Sequence, residues 1–165
     1  MAGLLAAPAF AAKTTATTTS TVNLAPLARA SGWLENRVST ADLLGHAVVV
    51  DVFTFECINC VRVLPNLKRL YASYSRSDLR IVGVHSPEVP SYQRRRSYLA
   101  REKAAAAIPW PIAIDNDFRI WNAYGVSAWP TLLIFDRKGN LHTTIIGDGR
   151  DSELAAAVRE VAHRS

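Results

Sequence analysis

The chain's strongest pattern is an apolar run without alternation at 48–53, Val-Val-Val-Asp-Val-Phe, broken only by Asp51. A strand with one wet face alternates apolar and polar positions, so an unbroken run predicts a strand buried on both faces, as in a parallel sheet. A second such run lies at 79–84 and predicts a second buried strand. Between them Val61, Leu64, Leu67, Leu70 and Tyr71 recur at helical spacing, which predicts a helix from about Cys57 to Tyr74. Pro65 falls inside that helix and should kink it, because proline removes one backbone hydrogen bond. Residues 91–107 predict a polar, alanine-rich helix stopped by Pro109. A third strand is expected at 112–114 and a short helix at 117–124. Residues 131–135 predict a strand, 136–140 a turn, and 141–146 its hairpin partner. Asp151 is placed to cap a last helix over 152–163. This order implies an α/β fold with a central mixed sheet and helices on both faces. The folded part is expected to begin near Trp33.

Length and composition narrow the class. With 165 residues and 49% apolar content, the chain suits one globular domain with a real core. The net charge of +5 is modest and does not require nucleic acid, so no nucleic-acid partner is expected. Arg94, Arg95 and Arg96 read as a solvated helix face. The start of the chain differs from the rest. Residues 1–12 hold a short run of small apolar residues with Ala9-Phe10-Ala11 as an A-x-A cleavage site, which predicts the end of an export signal. The basic segment that should precede it is missing, so either the start codon lies further upstream or the likeness to an export signal is accidental. Residues 13–32, threonine-rich at first, are expected to be a linker, and 33–165 the domain. The leader is too short to span a bilayer. Uncleaved, it would tether the domain to a membrane.

The candidate chemistry lies at Cys57-Ile58-Asn59-Cys60, the only cysteines in the chain. A strand feeding C-x-x-C into a helix start is the layout of a dithiol redox site. At a helix N-terminus, unpaired N–H groups and the helix dipole favour the Cys57 thiolate, the form that attacks a disulfide. Cys60, one turn further, is within reach for an intramolecular bond. The expected cycle is attack by Cys57 on the substrate, then resolution by Cys60. A purely structural bridge across so short a loop would stabilise little. A zinc site needs about four ligands, and the sequence offers no second pair. No metal and no cofactor beyond the Cys57–Cys60 disulfide is expected. Asp51, buried in its strand, would have its pKa raised toward neutrality and could handle the proton of Cys60. Pro130, at the start of a strand, suits a cis Trp129-Pro130 bond that leaves the backbone of Trp129 free to pair with a peptide. His85, just after a strand, reads as a solvated histidine.

These features together resemble the thioredoxin family. The similarity rests on residues 50–60, on Pro65 five positions past the second cysteine, and on 124–135 around Pro130, and it extends from about Trp33 to Val161. The helix at 91–107, inserted between strands, and the run 53–60 resemble the exported TlpA-like and DipZ-type branch. The resemblance implies a thioredoxin-like fold and a thiol–disulfide oxidoreductase acting outside the cytoplasm, in the periplasm or tethered facing it. It implies protein disulfides as substrates, a membrane thiol transporter as electron donor, and action as a monomer. Carried onto matching positions, Cys57 is the nucleophile, Cys60 resolves, Asp51 assists proton transfer, and Pro130 shapes substrate contact; Trp129, Ile58 and Asn59 are further candidate substrate contacts, although the Ile-Asn pair differs from the family's usual Gly-Pro. Glu56 departs from the family's common Trp. Its carboxylate opposes the Cys57 thiolate, with Arg62 as the candidate offset, and this points to a reductant. Two rival functions stay open. Thr54-x-x-Cys57 imitates a thiol peroxidase, although position 50 is Val where that motif begins with Pro. A copper chaperone would add His85 or His142 to the two thiols.

Overall fold

The computed structural model describes residues 22–88 and 92–163. A 3-10 helix, Ala25–Arg29, leads into β1 (Gly32–Leu34), α1 (Thr40–Leu43) and β2 (Ala47–Phe53). Then come α2 (Ile58–Ser73), β3 (Leu79–His85), α3 (Arg96–Ala105), β4 (Ile112–Ile114) and α4 (Arg119–Tyr124). The hairpin β5 (Thr131–Phe135) and β6 (Leu141–Ile146) precedes α5 (Asp151–Ala162). The sheet has six strands in the order β1-β4-β3-β2-β5-β6. β2, β3 and β4 run parallel, while β1, β5 and β6 pair antiparallel with their neighbours.

All seven residues of β2 are buried, as its unbroken apolar run requires. Their side chains alternate between two cores. Val48, Val50 and Val52 face the core shared with the 3-10 helix and α4 (Leu27, Ile120). Ala47, Val49 and Phe53 face the core formed with α2, α3 and α5. The same alternation puts Asp51 on the α2 side. In the neighbouring strand a side chain at position 83 would be crowded. A Cβ there would lie 3.0 Å from Phe53 and 3.1 Å from Ile112.

Several boundaries differ from the sequence expectation. Residues 22–32 are folded: Leu24 and Leu27 are each 1% exposed, and Asn23 bridges to Asn140. The fold therefore begins ahead of Trp33, and only 13–21 of the expected linker, with the leader 1–12, lie outside the described residues. β1 closes the sheet edge on β4, a pairing that three residues of sequence do not announce. In α2 the buried stripe is Cys60, Val63, Leu67 and Leu70, whereas Val61 is 52% exposed. Counting Val61 and Leu64 rather than Cys60 and Val63 turned the expected face by one residue, about 100° on a helix. α3 starts at Arg96, not near 91, and the guanidinium of Arg96 donates to the Trp33 carbonyl, so this arginine is structural and not simply solvated. Asp151 is the first residue of α5 and not its cap. Arg150 occupies the cap position, and the Asp151 carboxylate accepts from Arg69 at 3.3 Å.

Candidate active site

Cys57 is the N-cap of α2, with extended backbone angles that end the turn from β2. Its sulfur accepts the Cys60 backbone N–H at 3.3 Å, where a serine or aspartate oxygen would sit in an ordinary cap. A negative sulfur at this point meets a free N–H and the positive end of a 16-residue helix. The two thiols differ in access. Cys57 is half-buried, whereas Cys60 is 8% exposed, and both are free. Burial pushes the Cys60 thiol up, and its hydrogen bond to Cys57 and the charge of Asp51 add to the effect. The arrangement offers one reachable sulfur and one protonated sulfur held behind it.

Asp51 stands on the same side of β2 as Phe53 and is 6% exposed. Its Oδ1 has no hydrogen-bond partner among the described residues, and burial pushes its carboxyl up to about 7. Asp51 and Cys60 line one cleft of about 410 Å³ between α2 and α3, walled by Phe55, Lys68, Glu102 and Ala106. A carboxyl that titrates near neutrality thus shares a cavity with the Cys60 thiol.

The Trp129-Pro130 peptide bond is cis. The Trp129 carbonyl oxygen lies 3.8 Å from the Cys57 sulfur, which donates to it as a thiol. A chain of contacts that sequence reasoning missed holds Trp129. Its indole N–H donates to the Ser86 carbonyl at 3.0 Å, and the Ser86 hydroxyl donates to Asp115 Oδ2 at 2.9 Å. Asp115 also accepts the backbone N–H groups of Ile120 at 2.9 Å and Trp121 at 3.0 Å, and the Trp121 ring packs 4.4 Å from that of Trp129. The signal was present: an aspartate just after β4 and ahead of α4 is a helix-capping pattern.

His85 is not a solvated histidine. It is fully buried, stacked on Phe55 at 5.4 Å, with Nε2 3.3 Å from the Thr54 hydroxyl. Burial lowers its pKa to about 4. The helix start exposes Ile58 (61%) and Val61 (52%) beside Cys57, and half-buried Asn59 accepts from Arg62 at 3.4 Å. Arg62 turns to Asp148 at 3.5 Å and, among the described residues, makes no ion pair with Glu56. Glu56 instead accepts a hydrogen bond from the Tyr98 hydroxyl, on α3. Among the described residues no three His, Cys, Asp or Glu side chains are grouped to hold a metal, and His142 pairs with Glu160 at 3.1 Å.

The chain matches the AhpC/TSA family over residues 6–144. Human NHL repeat-containing protein 2 is 40% identical over 117 residues, covering 68% of this chain and 16% of that protein. Protein DipZ of Mycobacterium tuberculosis is 30% identical over 135 residues, covering 79% of this chain and 19% of that protein. The chain thus spans less than a fifth of the length of these curated relatives. A solved thiol-disulfide isomerase from Corynebacterium glutamicum superposes with a TM-score of 0.75 at 24% identity, covering 82% of this chain and 94% of that one.

Proposed function

The chain belongs to the AhpC/TSA family, with a thioredoxin-like fold, and from that premise we propose that it is a thiol–disulfide oxidoreductase acting on protein disulfides through Cys57 and Cys60. The observation that carries this reading is the pair of unlike sulfurs. One is half-exposed at a helix cap beside the Trp129 carbonyl, and the other is buried one turn below.

The chemistry follows from their placement. The Cys57 thiolate attacks one sulfur of a substrate disulfide, forms a mixed disulfide and expels the other substrate sulfur as thiolate. Ionised Asp51 takes the proton of Cys60 through their shared cleft. The Cys60 thiolate then attacks the Cys57 sulfur, the Cys57–Cys60 disulfide forms, and the second substrate thiol leaves. Two electrons pass from the dithiol to the substrate, and a thiol reductant restores the enzyme. The exposed Ile58, with Asn59 and the backbone around Trp129 and Pro130, receives the substrate peptide. We assign net reduction as the working direction, with Glu56 next to Cys57 opposing the reduced thiolate. The apolar leader supports export to the periplasm or a tether facing it, where a membrane thiol transporter supplies electrons to a monomeric domain. Among the described residues no helix is long and apolar enough to cross a membrane.

The peroxidase alternative needs the Thr54 hydroxyl at the cysteine, but that hydroxyl contacts His85. The test is direct. Pre-reduced protein is mixed in turn with an oxidised protein substrate, with hydrogen peroxide and with Cu(I). Stoichiometric formation of Cys57–Cys60 with reduced substrate supports exchange. Fast peroxide consumption, or tight copper binding without substrate reduction, would replace this assignment.

A further inference from the structure

The inserted helix α3 touches the active-site turn where the Tyr98 hydroxyl donates to Glu56 Oε1. Tyr98 is itself held from two sides. The ring of Tyr92 meets it edge-on at 5.3 Å, and the Arg101 guanidinium lies 5.4 Å from its ring centroid. A glutamate on an exposed turn normally swings freely. This one is anchored through one carboxylate oxygen, which leaves Oε2 to accept from something else.

The surrounding charges give the carboxylate its meaning. Among the described residues, Glu56 is in no ion pair. Two neighbouring arginines are engaged elsewhere: Arg62, six positions on, with Asp148 at 3.5 Å, and Arg101, over the Tyr98 ring, with Glu102 at 3.0 Å. The chain as a whole is basic, at +5, yet the residue next to the attacking cysteine is an oriented, uncompensated anion. A substrate peptide that brings its disulfide to Cys57 must pass this group. A lysine or arginine beside the substrate cysteine would meet an acceptor already in place, whereas an aspartate or glutamate there would be repelled.

We propose that Glu56, held by Tyr98, selects disulfide substrates with basic residues flanking the reactive cysteine. This rests on the thiol–disulfide reading above and names its substrate class. Tyr98 is a positioning residue, acting through Glu56.

The experiment compares kcat/KM for three disulfide-bonded peptides, identical except for lysine, glutamine or glutamate next to the cysteine. At low ionic strength the parent protein should favour the lysine peptide over the glutamate peptide by about tenfold, the effect of one near-surface charge pair and its opposite. Half-molar salt should compress that ratio several-fold. Glu56→Gln should bring it to within about twofold, and Tyr98→Phe should leave an intermediate ratio. A general effect of Glu56 on Cys57 would move all three peptides together and leave the ratio unchanged, and this would overturn the proposal. So would equal turnover of the three peptides by the parent, with the redox reading left standing. No turnover of any peptide overturns both.

Discussion

The sulfur of Cys57 and the carbonyl oxygen of Trp129 lie 3.8 Å apart, although 72 positions separate them in the chain. The contact joins the start of α2 to the loop ahead of β5, because β2 and β5 are neighbours in the sheet. An extended peptide laid across Cys57 therefore meets a backbone acceptor beside the attacking sulfur.

Cys57→Ser should abolish disulfide reduction. Cys60→Ser should still attack but should accumulate mixed disulfides, since no second thiol resolves them. Mass spectrometry of non-reduced reaction mixtures reads both outcomes. Equal residual activity in the two variants would contradict the assigned roles.

Asp51 and His85 should pull stability in opposite directions across one pH window. The buried Asp51 carboxyl titrates at about 7 in the fold, against an ordinary value of 3.8. Its contribution is complete below about pH 4 and falls by about 4 kcal/mol as pH rises to about 7. Buried His85 titrates at about 4, against an ordinary value of 6.5. Its neutral form favours the fold above about pH 6.5, and that contribution, about 3 kcal/mol, is lost as pH falls to about 4. The parent should therefore show a shallow profile. Asp51→Asn should grow more stable from about pH 4 to about 6.5, and His85→Phe should grow less stable from about pH 4 to about 7. Urea unfolding at a series of pH values measures the slopes. Asp51→Asn should also slow exchange near neutral pH, whereas a rate equal to the parent at every pH would make Asp51 purely structural.

Asp115→Ala removes the acceptor for the Ser86 hydroxyl and for the N–H groups of Ile120 and Trp121. Losing a buried charged acceptor of three donors should cost about 2–3 kcal/mol. Asp115→Asn keeps one acceptor oxygen and should cost less. Because Trp121 and Trp129 pack against each other, their fluorescence should change with the alanine variant. An unchanged spectrum would show that Ser86 and Asp115 do not hold Trp129.

Gly83→Ala would drive a methyl group against Phe53 and Ile112, both in the core. Overpacking of this kind should cost about 1–3 kcal/mol. Phe53 also lines the Asp51–Cys60 cleft and packs edge-on to Phe55 at 5.1 Å, so the added methyl should reduce activity as well as thermal stability. A melting temperature equal to the parent's would mean that Phe53 yields freely.

The features legible in the residues alone are local. The apolar runs specify β2 and β3 because a strand buried on both faces cannot be written with polar residues. The spacing of Cys57 and Cys60 at a strand-to-helix junction specifies a dithiol within one turn, whatever surrounds it. The position of Asp51 in an apolar strand carried its burial and hence its shifted carboxyl. Tertiary structure decided everything that depends on which distant segments meet. It alone placed His85 in the core and turned Arg62 to Asp148. It brought Tyr98 to Glu56 and built the Asp115–Ser86–Trp129 chain across elements far apart in sequence. Those contacts follow from strand order and helix packing, and no periodicity within a single segment encodes them. The N-terminal 3-10 helix was missed for the same reason: five residues have no amphipathic period, and only docking of Leu24 and Leu27 against the sheet defines them as part of the fold.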